Sequence, residues 1–283
     1  PNKLVIIGGG YIGLEYADMY NNFGSEVIVL EGSPLFIPRE DREIADEIQK
    51  VMERKGIKFV LGAKVTEVQE NKVRYEKDGE IKTIDGDAIL VAVGRKPNIE
   101  GLKLENAGIK TTERGAVLVD DNLHTSVDKI WAMGDVHGGL QFTYTSLDDY
   151  RIIRSELFGD KKYSLKERGP VPYTVFIEPQ FSRVGMTEEE AVQKGYKVKT
   201  SKMPAANPRM KISGETDGLL KAVVDAETGK ILGASLFFAQ SGEVINNIRL
   251  AMIADKDYTF LRDGIFTHPT MSETLNDLFG QIK

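Results

Sequence analysis

The feature that most constrains this chain is a glycine-rich segment near its start, Gly8-Gly9-Gly10-Tyr11-Ile12-Gly13. It follows the apolar run at residues 4–7, whose continuous hydrophobicity is typical of a strand buried on both faces. Apolar residues at helical spacing come next, and Gly24 is placed to end that helix before a second strand at 26–31. A strand, a glycine turn, a helix and a second strand in about thirty residues predict a Rossmann-like α/β unit.

Glycines at the first, third and sixth positions of the segment match the dinucleotide-binding fingerprint. Gly8 permits the tight turn, Gly10 lets a pyrophosphate approach the helix N-terminus, and Gly13 lets helix and strand pack closely. Glu31 ends the second strand and is placed to accept hydrogen bonds from the adenosine ribose. It would repel a 2′-phosphate, and the next two residues supply no arginine, so we expect NAD(H) to be preferred over NADP(H). The alternative is a turn that merely tolerates glycine.

Composition excludes several classes of function. The 283 residues contain no cysteine, which excludes a disulfide-stapled fold, a thiolate metal site and a catalytic cysteine within them. A net charge of −6 without a basic cluster argues against nucleic acid or an anionic membrane as partner. No apolar run reaches the roughly 18–20 residues of a membrane span. We therefore expect a soluble protein of the reducing cytoplasm, without a metal site.

The rest of the chain changes pattern twice. Residues 41–93 predict an amphipathic helix, a third strand, a three-stranded antiparallel meander and another buried strand. Residues 96–169 are looser, with a predicted strand at 130–133 and a helix over 146–158. From Pro170 onward an α+β pattern predicts a strand, a helix, a hairpin and two closing helices.

Three further motifs contain candidate functional residues. Gly94 follows a predicted strand in Ala92-Val93-Gly94-Arg95, and Gly134-Asp135 follows another; taken alone, each fits an ordinary strand and turn as well as it fits a binding site. Near the end, His268-Pro269-Thr270 precedes Glu273, so a histidine lies five residues before a carboxylate. The other two histidines, His124 and His137, have no comparable sequence neighbours, and we interpret them as incidental.

Taken together and in this order, the glycine motifs, the meander and the His-Pro-Thr-x-x-Glu segment resemble the pyridine nucleotide-disulfide oxidoreductases, flavoproteins that include dihydrolipoamide dehydrogenase and glutathione reductase. The resemblance covers the whole chain. It implies an NAD(P)H-binding domain at 1–97, the C-terminal part of a discontinuous FAD-binding domain at 98–168, and an α+β dimerisation domain at 169–283. It also implies that the first half of the FAD domain, with a Cys-x-x-x-x-Cys pair, precedes Pro1.

The resemblance assigns cofactor roles to matching residues. Asp135 would bind the ribityl chain or a nearby phosphate of FAD, and Gly94 would line the nicotinamide nucleotide. Tyr11 either shields the flavin until the nicotinamide displaces it or packs at the helix start, and Glu15 would pair with a lysine outside these residues. The predicted cofactor-binding residues are Gly8, Gly10, Tyr11, Ile12, Gly13, Glu15, Glu31, Gly94, Gly134 and Asp135.

The resemblance also implies a homodimer and a reaction. His268 would act as acid and base toward the thiol pair of the partner subunit, with Glu273 orienting its ring. Electrons would pass from NADH through FAD and the cysteine pair to a disulfide or a small oxidant. Residues 140–146 resemble a bacterial branch that reduces oxidants such as hypothiocyanous acid.

Two alternatives stay open at this point. One is a disulfide-independent flavoprotein of the NADH oxidase or transhydrogenase type. The other treats the chain as given: an inactive nucleotide-binding and dimerisation module that holds no FAD.

Overall fold

A computed structural model describes residues 1–283. The chain divides into two compact units, one formed by Pro1–Gly94 with Pro172–Lys283 and the other by Arg95–Val171. The predicted α/β fold is confirmed, with a parallel sheet and two antiparallel sheets.

The first 94 residues build a parallel sheet with an antiparallel meander attached. The elements in chain order are β1 (Lys3–Ile7), α1 (Tyr11–Asn22), β2 (Glu26–Glu31), α2 (Arg42–Arg54), β3 (Lys58–Leu61), β4 (Lys64–Gln69), β5 (Lys72–Lys77), β6 (Glu80–Asp85) and β7 (Ala88–Val91). Strand β1 lies between β2 and β7, and β3 pairs with the other side of β2, all in parallel register. Strands β4 to β6 pair antiparallel.

Helix α2 shows how local sequence sets these elements. The Asp41 carboxylate accepts a hydrogen bond from the amide of Glu43 (3.2 Å), which satisfies one of the free amides at the helix start. Ile44, Ile48 and Met52 recur at helical spacing and are fully buried. The helix therefore packs one apolar face on the core and leaves its charged face in solvent.

The second unit is less regular. It contains 3₁₀ turns at Leu104–Ala107 and Gly134–His137 and one long helix, α3 (Thr143–Phe158). The predicted strand at 130–133 is wrong, because only a single bridge joins His124 and Trp131 there. Lys129 and Gly134 flank the segment with positive φ angles (61° and 72°), which interrupt an extended backbone on both sides.

Residues 172–283 form a five-stranded antiparallel sheet with helices. The elements are β8 (Tyr173–Val175), β9 (Phe181–Gly185), α4 (Glu188–Gln193), β10 (Val198–Pro204), α5 (Pro208–Ser213), β11 (Leu219–Asp225), β12 (Ile231–Phe237), α6 (Ser241–Ile253), α7 (Thr259–Arg262) and α8 (Thr274–Gly280). The strand order is β10-β11-β12-β9-β8. The helices are all too short or too polar to span a lipid bilayer.

The two parts of the first unit share a hydrophobic core. Phe36 and Ile37, which lie between β2 and α2, belong to the same buried cluster as Val175, Phe181 and Phe237 of the antiparallel sheet. The segment between β2 and α2 is thus held between the parallel sheet and the C-terminal part of the chain.

Candidate functional site

A cleft of about 670 Å³ opens at the carboxyl ends of the parallel strands. Its volume lies in the range of roughly 300–1,000 Å³ that is typical of small-molecule sites. The glycine turn between β1 and α1, the end of β2 and the residues after β7 line the cleft. Five sequence-predicted residues are brought together there, namely Gly8, Gly10, Tyr11, Glu31 and Gly94.

The structural need for glycine differs among the three fingerprint positions. Gly8 adopts φ +107°, and an added Cβ at Gly13 would collide with the Gly8 carbonyl oxygen, so both are needed for the turn itself. A Cβ at Gly10 would meet no protein atom within 4 Å, although Gly10 lines the cleft. Helix α1 also begins without a capping side chain, which leaves its first amides available to an anion.

Glu31 is held firmly at the end of β2. Its Oε2 accepts a hydrogen bond from the Gly9 amide (2.6 Å), and its Oε1 accepts one from the Ser33 amide (2.7 Å). Each carboxylate oxygen keeps a second lone pair, which can accept from a ribose hydroxyl. The carboxylate is therefore oriented by the protein backbone itself.

Two cations in the cleft were missed by sequence reasoning. Arg39 and Lys64 both line it, and both are exposed. Arg39 follows β2 by eight residues and Lys64 begins the meander, so neither lies where the fingerprint points. They add positive charge to a cleft for which the sequence predicted only one charged group, the Glu31 carboxylate.

Tyr11 is held at the edge of the cleft by a buried carboxylate. Its ring stacks on that of Tyr173 (centroids 5.6 Å apart), and its hydroxyl hydrogen-bonds to Glu40. Burial and the Glu40 charge raise the pKa of the Tyr11 hydroxyl well above its usual range, so it stays protonated. These contacts fix the ring at the start of α1.

The remaining predicted residues of α1 lie apart from the cleft lining. Ile12 is 43% exposed and does not line the cleft. Glu15 Oε1 accepts a hydrogen bond from the Phe176 amide (2.8 Å), which fixes one end of its carboxylate.

His268 and Glu273 form the predicted pair. Nδ1 of His268 lies 2.8 Å from Oε2 of Glu273, at the start of α8. The histidine side chain is 69% exposed and that of the glutamate only 14%. With Nδ1–H donated to the carboxylate, the neutral ring presents the lone pair of Nε2 to solvent and can act as a base.

Gly134 and Asp135 lie on the 3₁₀ turn before α3 in the second unit. The Asp135 carboxylate is half-exposed and 3.1 Å from Nη1 of Arg95. The Gly134 amide donates to the buried Asp149 carboxylate (2.7 Å), which therefore anchors the turn.

Asp149 also contacts His137, one of the two histidines without a comparable sequence neighbour. Its Oδ2 is 3.0 Å from His137 Nε2, and its Oδ1 accepts from Arg168. Burial alone would raise the pKa of Asp149, but the hydrogen bonds from His137, Arg168 and Gly134 outweigh it and place the pKa below its usual range. His124 also has a carboxylate partner, Asp120, at 3.1 Å. These pairs were missed because nothing in the sequence marks which carboxylate faces which ring.

No group of three or more histidine, aspartate or glutamate side chains is arranged to hold a metal ion.

Two family models match the chain. Residues 1–149 match the model described as pyridine nucleotide-disulphide oxidoreductase. Residues 171–279 match the model described as pyridine nucleotide-disulphide oxidoreductase, dimerisation domain. The first match alone spans more than half of the chain.

Individual relatives agree with these models. The chain is 51% identical over 284 residues to the probable pyridine nucleotide-disulfide oxidoreductase RclA of Escherichia coli K12, covering 100% of this chain and 64% of the relative. It is 37% identical to the dihydrolipoyl dehydrogenase of Corynebacterium glutamicum, covering 98% and 61%. A solved structure described as the HOCl-induced flavoprotein disulfide reductase RclA from Escherichia coli superimposes with a TM-score of 0.94 at 51% identity, covering 100% and 65%. The chain thus spans just under two thirds of the length of these relatives.

Proposed function

The chain belongs to the pyridine nucleotide-disulphide oxidoreductase family, and we propose that, in a protein of its relatives' length, it passes electrons from NADH through FAD and a cysteine pair to a disulfide or a small oxidant. The observation that carries this proposal is the His268–Glu273 pair, an exposed base oriented by a half-buried carboxylate. Such a pair suits proton transfer to and from thiols. The dinucleotide cleft on the same chain supports the electron source.

The cleft residues have distinct tasks in nucleotide binding. The open space at Gly10 and the uncapped start of α1 suit a pyrophosphate. Glu31 would accept from the adenosine ribose hydroxyls, and Arg39 and Lys64 would attract the phosphates. Gly94 lines the cleft three residues after the end of β7 and would face the nicotinamide nucleotide.

The second unit offers a hydrogen-bond acceptor for the ribityl chain of FAD. The half-exposed Asp135 carboxylate can accept hydrogen bonds from ribityl hydroxyls. Asp149 would hold the Gly134 turn in place for that contact. Glu15, fixed by the Phe176 amide, would keep its role toward a lysine near flavin N5. When bound, the flavin and nicotinamide supply the hydride and electron transfer.

His268 would move the proton in thiol–disulfide exchange. Its Nε2 takes the proton from an attacking thiol, the thiolate breaks a disulfide, and the proton returns to the sulfur that leaves. Glu273 keeps Nδ1 protonated and the ring oriented during both transfers.

A homodimer completes the proposal. The match to a dimerisation domain supports it, and so do the apolar side chains exposed on that part of the chain. Ile265, three residues before His268, is fully exposed, and Leu250 and Ile253 are exposed on α6.

We also propose the domain limits 1–97, 98–168 and 169–283 and a cytoplasmic location.

The nucleotide preference is directly testable. Titration of the 283-residue chain should give a dissociation constant for NADH about 5- to 50-fold lower than for NADPH, because the fixed Glu31 carboxylate repels a 2′-phosphate. Isothermal titration calorimetry at constant salt gives both values. Glu31→Gln should reduce the difference between the NADH and NADPH dissociation constants. Tighter binding of NADPH than of NADH by the unaltered chain would contradict the role given to Glu31.

The 283-residue chain alone should be colourless and inactive. It contains no cysteine, and we propose that residues 98–168 form only part of the FAD-binding domain, so we expect it to retain no flavin and to reduce no disulfide with NADH. Absorption spectroscopy of the purified chain and an NADH-dependent disulfide assay check this. A yellow preparation, or steady NADH oxidation, would show that these residues suffice for flavin binding or for turnover.

A further inference from the structure

Two parts of the lining of the nucleotide cleft are tied to one buried charge cluster. Tyr11 lines the cleft, and its hydroxyl hydrogen-bonds to Glu40. The segment Ile37, Pro38 and Arg39 also lines the cleft and leads directly into Glu40. The Glu40 side chain is completely buried. Its position therefore affects where both parts of the lining lie.

Glu40 is held by residues of β8 and β9. Tyr173 donates its hydroxyl to Glu40 Oε1 at 2.6 Å, and Nη1 of Arg183 lies 3.3 Å from Glu40 Oε2. The same Nη1 donates to the Arg39 carbonyl at 3.0 Å, so Arg183 also holds the backbone of the cleft lining. Its other amino group pairs with Glu190. Neither Tyr173 nor Arg183 lines the cleft.

We infer that Arg183 and Tyr173 are positioning residues for dinucleotide binding, so that residues matched by the dimerisation-domain model hold two parts of the lining of the nucleotide cleft in place through Glu40. The inference rests on the proposed function, because it presupposes that the cleft binds NADH. A buried carboxylate that loses its cation is left unpaired and moves, and the lining residues attached to it then move as well.

Lys221 provides a matched control in the same part of the chain. It is as buried as Arg183, with its side chain 7% exposed, and its ammonium lies 2.7 Å from Asp41, 3.1 Å from Glu43 and 2.7 Å from Glu188. It therefore makes the same kind of ionic contact to the start of α2. None of its three partners lines the cleft.

The test compares NADH affinity with stability in four proteins: the unaltered 283-residue chain, Arg183→Met, Tyr173→Phe and Lys221→Met. We expect Arg183→Met to raise the NADH dissociation constant about tenfold and Tyr173→Phe about threefold, because each removes a hydrogen bond to a buried charge. Lys221→Met should lower the thermal midpoint as much as Arg183→Met does. Its NADH dissociation constant should nevertheless stay within about twofold of that of the unaltered chain. Calorimetry with NADH and thermal unfolding supply the two readouts.

The outcomes separate this inference from the proposed function. Unchanged NADH affinity in Arg183→Met and Tyr173→Phe would overturn the inference alone, as would an equal loss of affinity in Lys221→Met. If Arg183→Met does not fold, Tyr173→Phe decides, because it keeps the ring that stacks on Tyr11. If the unaltered chain fails to bind NADH, the nucleotide part of the proposed function falls, and this inference falls with it.

Discussion

Replacing His268 by alanine in a protein of the relatives' full length should slow thiol–disulfide exchange by about 10²- to 10⁴-fold, the usual contribution of a positioned acid–base group. Hydride transfer from NADH to the flavin should change little, since the residues proposed for it are others. The expected difference follows from the geometry: Glu273 engages Nδ1, and the exposed ring leaves Nε2 accessible from solvent. Stopped-flow absorption of the flavin measures the reductive and oxidative half-reactions separately.

A matched pair elsewhere in the chain serves as control. His124 Nδ1 lies 3.1 Å from Asp120, so it has the same kind of histidine–carboxylate contact in the second unit. His124→Ala should leave both half-reactions unchanged. Glu273→Gln should slow only the oxidative one, by about 10- to 100-fold, because the ring then loses its orienting charge.

The pattern of slowing also distinguishes the alternatives. Equal slowing of both half-reactions in His268→Ala would contradict its role toward thiols. No slowing of either, with continued NADH oxidation, would favour a disulfide-independent flavoprotein of the NADH oxidase or transhydrogenase type.

The fold around the cleft could be predicted from the sequence because its signals are local. Gly8, Gly10 and Gly13 occupy fixed positions in one turn, and Glu31 ends the next strand of the same unit. The periodicities of α1, α2 and the meander are also strong, so the type and the order of these elements agree with the structure. His268 and Glu273 lie five residues apart, so their pairing is local as well.

The elements that were missed have weak local patterns. Strand β9 (Phe181–Gly185) places Ser182 and Arg183 in the interior, and β10 (Val198–Pro204) alternates around a buried serine, Ser201, so neither shows a clear apolar run. Helices α5 and α7 have only six and four residues. Elements this short depend on tertiary packing more than on their own sequence.

The missed site residues depend on contacts between distant parts of the chain. Arg183 meets Glu40 across 143 positions, and Tyr173 meets it across 133. Asp149 meets His137 only because α3 packs beside the 3₁₀ turn. Residue spacing carries no information about such pairs, so the anchoring of the cleft lining emerges only in three dimensions.

Gly10→Val provides the most direct test of the cleft, since it should weaken NADH binding by at least about 100-fold without unfolding the chain. Gly10 has φ −73° and ψ 178°, an extended conformation that valine adopts without strain, and its added Cβ would meet no protein atom within 4 Å. The side chain would instead occupy the space where a pyrophosphate approaches the start of α1. Calorimetry with NADH gives the affinity, and circular dichroism with thermal unfolding shows whether the fold persists.

Two other glycines make the Gly10 result interpretable. Gly280 is exposed at the end of α8 and has the same open space around its Cβ position, so Gly280→Val should leave NADH affinity unchanged. Gly13→Ala should lower stability and affinity together, because its Cβ would collide with the Gly8 carbonyl. Near-normal NADH affinity in a folded Gly10→Val protein would mean that the nucleotide binds without approaching this turn, and the fingerprint would then be a structural feature of the β1–α1 connection alone.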